Sequence, residues 1–103
     1  MKFVNLTPHK IVLNDGTSFE SEGVARVSSK YTDFNEDKIC EMVFEDEITG
    51  LPEPEKDTIY IVSSIVLPVA KQKGRNDVVA PATGHPDCCR ENGFVKSVPG
   101  FVR

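Results

Sequence analysis

Short apolar runs punctuated by turn residues set the pattern of this chain, and only one segment carries apolar residues at helical spacing. Phe3 to Leu6 alternates weakly and stops at Thr7-Pro8, and Lys10 to Leu13 is a second β-rich run. Asn14-Asp15-Gly16 tolerates positive φ and predicts a hairpin turn into Thr17-Ser18-Phe19. Gly23 to Val27 is strand-like around a lone Arg26. Ser28 to Asn35 turns polar and aromatic, and Lys38 to Phe44 alternates again through Ile39, Glu41 and Val43. Ile48 to Glu55 holds Gly50, Pro52 and Pro54, which predicts a loop.

Thr58 to Val62 ends in a continuous apolar run, the mark of a central strand. Ser64 suits the N-cap of a helix from Ile65, Pro68 falls in the first turn where no amide donor is needed, and Gly74 suits the stop. Val78 to Pro81 reads as extended, 82–92 as loop, and Phe94 to Val98 as a last strand before a Pro99-Gly100 turn. These elements predict an α+β fold, a mostly antiparallel sheet with one short helix at about 64–73, in a single domain spanning 1–103.

Composition adds little to that picture, but charge changes it. Apolar residues at 39% and charged residues at 27% match an ordinary folded domain. The net charge of −4 is uneven: residues 1–64 carry 6 basic and 13 acidic side chains, whereas 65–103 carry 6 basic and 3 acidic. Either the acidic part is a plain solvated face, or the carboxyl-terminal third gathers cations to meet an anion. The acidic total argues against duplex nucleic acid. The longest apolar runs fall far short of the roughly 20 residues of a membrane span. The start of the chain turns polar before a signal-peptide core develops, and three cysteines form no disulfide framework, so a reducing, cytoplasmic setting is expected.

Signatures of the common enzyme classes are missing: there is no Gly-x-Ser-x-Gly, no phosphate loop, no Gly-x-Gly-x-x-Gly and no His-Glu-x-x-His. No catalytic residue, metal ligand set or cofactor is therefore expected. His85-Pro86-Asp87-Cys88-Cys89 offers metal-ligand types, but adjacent cysteines lack the spacer of a zinc site.

The segment richest in binding chemistry is Arg75-Asn76-Asp77. Arg75 at a helix end can serve the helix dipole or grip a phosphate, Asn76 and Asp77 can shape a turn or read a ribose or base edge. Arg90 offers a second guanidinium, and Arg26 a third unless it forms a salt bridge within the sheet. Ser63 and Ser64 offer hydroxyls at a helix start, as cap or as ligand donors. Thr7-Pro8 fixes a corner that exposes His9, and Tyr31, Tyr60, Phe94 or Phe101 could stack on a base if they are not core.

Asn5-Leu6-Thr7-Pro8-His9, then Tyr60-Ile61-Val62-Ser63 before a helix, then Arg75-Asn76-Asp77 and Pro81, form an order that resembles the first-described type of phage-encoded Thoeris anti-defence sponges. Cys88-Cys89 has no counterpart in that pattern. The resemblance implies a non-enzymatic phage protein, a homo-oligomer in the host cytoplasm, that sequesters a cyclic ADP-ribose isomer and in some members cyclic oligonucleotides. The competing expectation is a small structural or protein-interaction module of phage origin, in which the same residues build turns and subunit contacts.

Overall fold

The computed structural model describes the backbone of residues 1–103 and all side chains except those of residues 44–46. Its centre is a four-stranded sheet in the order β1 (Lys2–Asn5), β6 (Thr58–Ile61), β7 (Val78–Pro81), β10 (Phe101–Val102). The first three strands run parallel and β10 closes the edge antiparallel to β7. Three antiparallel two-stranded ribbons surround it: β2 (Ile11–Val12) with β3 (Ser18–Phe19), β4 (Arg26–Tyr31) with β5 (Met42–Thr49), and β8 (Cys89–Glu91) with β9 (Phe94–Ser97). Four of the six strand pairings among the described residues are antiparallel, and one helix, α1 (Val66–Gln72), joins β6 to β7. The α+β expectation holds, with a parallel centre inside it.

The apolar run that marks β6 is buried on both faces, and its period of two sorts the core. Tyr60 and Val62 face a cluster with Leu6, Val66, Leu67, Ala70, Val78 and Ala80, so α1 covers that side. Ile59 and Ile61 face the opposite cluster with Ile11, Val79 and Val98. Phe3, Phe19 and Phe101 close this second side as a ring triad with centroids 5.5 to 5.8 Å apart. A seven-residue helix does not persist alone in water. Burial of Val66 and Leu67, about 1.5–3 kcal/mol each, holds it in place.

Local signals act as the sequence predicts at two turns. Gly16, at φ +94°, closes the 13–17 turn by donating to the Leu13 carbonyl, while Asp15 accepts from the Thr17 amide. Gly74, at φ +79°, ends α1: its amide donates to Lys71 and that of Arg75 to Ala70, the paired bonds of a Schellman stop.

Three expectations are corrected. The helix starts at Val66, and Ser63, not Ser64, serves its first amides: the Ser63 carbonyl accepts from Val66 and Leu67, and the Ser63 hydroxyl oxygen accepts from the Val66 amide at 3.4 Å. Ile48 and Thr49 belong to β5, because pairing of Thr49 with Arg26 and Ile48 with Val27 carries the strand up to Gly50. Residues 89–91, expected in a loop, form β8, since Asn92-Gly93, both at positive φ, reverse the chain and pair it with β9. Among the described residues no helix is long and apolar enough to cross a membrane.

Candidate functional site

Because β1, β6 and β7 run parallel, their carboxyl ends emerge on one edge of the sheet, the edge where open parallel sheets receive ligands. A cavity of about 610 Å³ lies there. Thr7 to Lys10 reach it from the end of β1, Ser63 and Ser64 from the end of β6, and Pro81 and Thr83 from the end of β7. The β9 ribbon, through Phe94 to Val98, forms the facing wall.

The corner that delivers Thr7 and His9 is built by Asn5, whose side chain is fully buried at the end of β1. Its Nδ2 donates to the carbonyls of His9 at 2.8 Å and Phe19 at 3.0 Å, and its Oδ1 accepts from the Thr7 amide at 3.0 Å and the Thr7 hydroxyl at 2.7 Å. Two carbonyls on one side and two donors on the other fix the orientation of the amide. Ser21 adds a bond from its hydroxyl to the Thr7 carbonyl at 2.6 Å. The opposite wall hangs on Asn14: the Val98 main-chain N–H donates to the Val12 carbonyl, the Asn14 main-chain N–H donates to the Val98 carbonyl, and the Ser97 hydroxyl donates to Asn14 Oδ1 at 2.6 Å.

Three cationic or protonatable side chains, His9, Lys10 and Lys96, line the cavity beside Thr7, Ser63, Ser64, Thr83 and Ser97, of which Thr7 and Ser97 already donate their hydroxyl protons to Asn5 and Asn14. Lys10 reaches Glu20 at 3.4 Å and Lys96 reaches Glu91 at 3.7 Å, both as exposed ion pairs. Such pairs contribute little in water, so an arriving anion competes for either ammonium. Ile11, Val12, Val95 and Val98 supply the apolar surface, and Phe94, 78% exposed, supplies a ring beside it.

Of the residues expected to bind, His9, Ser63 and Ser64 line this cavity, and Arg26 lines a smaller cleft next to it. Arg75, Asn76 and Asp77 line neither cleft, because they follow the carboxyl end of α1, at the start of β7 and not at its end. The Arg75 guanidinium is already spoken for: it donates to both Asp77 oxygens, at 2.9 and 3.0 Å, and to the Pro52 carbonyl at 3.0 Å. It also lies over the Tyr60 ring, 5.9 Å from its centre. These bonds hold the Asp77 carboxyl below the ordinary carboxylate range and raise the Arg75 pKa. Asn76 is exposed. The expected Arg75–Arg90 clamp is thus not assembled within the chain. Arg90 lines neither cleft and donates to the Thr83 carbonyl at 2.9 Å, bracing β8 against the loop that borders the cavity.

Among the candidate aromatics only Phe94 lines either cleft. Tyr60 is core, its hydroxyl donating to the Glu53 carbonyl, with burial raising its pKa; Phe101 belongs to the ring triad. His85 Nδ1 accepts from the Asp87 amide at 3.0 Å, and among the described residues no three His, Cys, Asp or Glu side chains are grouped to hold a metal ion. Lys10, Lys96 and Thr83 were not singled out by sequence, where each is an ordinary polar residue in a strand or loop.

Compared with protein-family models, curated proteins and solved structures, the chain matches none.

Proposed function

We propose that this protein binds a nucleotide-type anion in the cavity at the carboxyl edge of its parallel strands and holds it without converting it. The observation that carries this reading is the lining itself: two lysines with weakly held partners, His9 and a row of hydroxyls on one part, an exposed phenyl ring and aliphatic side chains on the other. Cations and hydroxyls suit phosphate and ribose, and a ring with aliphatic neighbours suits a base. A volume of about 610 Å³ lies inside the roughly 300–1,000 Å³ span of small-molecule sites. Combined with the resemblance drawn from the sequence, the biological use is sequestration of a nucleotide immune signal, a cyclic ADP-ribose isomer or, as the resemblance implies for some members, a cyclic oligonucleotide, against bacterial anti-phage defence.

A second reading, a protein-interaction module without nucleotide binding, is favoured by one feature. The β4–β5 ribbon and its connection expose Tyr31, Phe34, Ile39, Met42 and Val43 to solvent. Incubation with cyclic ADP-ribose isomers and cyclic di- and trinucleotides, followed by heat denaturation and chromatography, separates the readings. A sponge returns its guest unchanged, an enzyme returns a product, and an interaction module retains nothing.

A further inference from the structure

The main cavity does not end at its own wall. Thr7, Pro8 and Ser63 also line a second cleft of about 260 Å³, together with Val24, Arg26, Ile65 and Val66. This volume falls below the roughly 300 Å³ at which cavities hold a drug-sized ligand of their own. The cleft therefore suits part of a ligand that is already anchored elsewhere. Its lining is aliphatic apart from Thr7, Ser63 and Arg26.

Arg26 is unlike the other arginines described above. Arg75 is locked to Asp77 and Arg90 is braced on Thr83, whereas the Arg26 side chain has no ion-pair or hydrogen-bond partner among the described residues. It stands at the first position of β4, and its backbone is held by pairing with Thr49, so the side chain is available while the main chain stays fixed. A guanidinium beside apolar walls gains most from a phosphate or carboxylate that can take two of its N–H groups at once.

We infer that the smaller cleft is a subsite for a second anionic group of an extended ligand, whose first anionic group and aromatic part occupy the main cavity, with the chain of the ligand passing Thr7, Pro8 and Ser63, the residues that line both clefts. The ligand class is an elongated molecule with two separated anionic groups, such as a dinucleotide. This inference rests on the cavity being a nucleotide site.

The test is calorimetric titration of the wild-type protein and of Arg26→Gln with ADP and with 5′-phosphorylated diadenylate, which carries a second phosphate at a distance. The wild-type protein is expected to bind the diadenylate about 10-fold more tightly than ADP, the worth of one charge-assisted contact. Arg26→Gln removes that preference and Arg26→Lys restores part of it. Arg26 is exposed and has no side-chain partner among the described residues, so all three proteins should melt alike. Equal affinity of the wild-type protein for both nucleotides, or a preference that survives Arg26→Gln, overturns the subsite and leaves the main cavity standing. Failure of the wild-type protein to bind either nucleotide overturns the cavity reading, and the subsite falls with it.

Discussion

Replacing Arg75 by Ala tests whether this guanidinium serves the fold or a guest. The substitution deletes three hydrogen bonds, two to Asp77 and one to the Pro52 carbonyl, and leaves the Asp77 carboxylate, 14% exposed, without its cation. A hydrogen bond to a charged group contributes about 1.5–3 kcal/mol, and removing one partner of a fully buried pair costs about 3–5 kcal/mol. The side chains here retain 18% and 14% exposure, which admits water and favours the lower part of the range, about 2–3 kcal/mol. For a domain near this length the melting temperature falls roughly 4–8 °C per kcal/mol, so a drop of roughly 10–20 °C at neutral pH is expected by circular dichroism. The pH dependence has a fixed sign. Asp77 is held below the usual carboxylate range in the folded state, so its contribution is complete above the unfolded pKa of about 3.9 and is lost as pH falls through the folded value. The gap between wild type and Arg75→Ala should therefore close in acid. A variant that melts within 3 °C of wild type at pH 7 (roughly half a kcal/mol), or a gap constant down to pH 3 (below the carboxylate range), would refute the reasoning. A stable Arg75→Ala that no longer retained nucleotide would return Arg75 to the ligand.

Three further outcomes follow from the same geometry. Asn5→Asp keeps the shape but turns an acceptor towards the His9 and Phe19 carbonyls, and should cost about 3 kcal/mol or more, seen as a lower urea midpoint at unchanged slope. Gly50→Ala should be much worse than Gly93→Ala: both have positive φ, but a Cβ at Gly50 would run into the Val24 carbonyl oxygen, whereas at Gly93 it meets nothing within 4 Å, which leaves a cost of about 1 kcal/mol there by thermal melting. Lys96→Gln and Phe94→Ala should each lower nucleotide affinity about 10-fold or more in calorimetry without lowering the melting temperature, since Lys96 and Phe94 are both exposed; unchanged affinity in both would remove the cavity from consideration.

Local chemistry explains which parts of the fold were legible. The apolar run 58–62, the Asn14-Asp15-Gly16 turn and the Gly74 stop depend on residues within a few positions of one another, and each stands where the pattern places it. The end of β5 and the whole of β8 do not show locally, because their strand character comes from pairing: Ile48 and Thr49 are extended by Val27 and Arg26, more than 20 residues earlier in the chain, and β8 by β9. The parallel centre was hidden for the same reason. Nothing local reveals that Lys2 to Asn5 will lie beside Thr58 to Ile61. Of the site, the Thr7-Pro8-His9 corner and Ser63-Ser64 were visible as polar residues ending strands, while Lys10 and Lys96 meet only through that long-range topology.

The arginines show why residue type alone misdirects a search for an anion site. Arg75 carries the chemistry of a phosphate clamp, yet a carboxylate two residues away and a carbonyl from the 51–55 loop fill its donors, and an incoming phosphate would have to displace both. Lys10 and Lys96 have a weaker geometry for phosphate, but their partners are solvent-exposed glutamates whose hold water already dilutes. The free energy of binding is a difference between the cation's partners before and after the guest arrives. A cation beside a cavity with a weak partner, or with none among the described residues, as at Arg26, gains from a guest; a cation whose donors are filled inside the fold gains little. That difference moves the expected site from the start of β7 to its end.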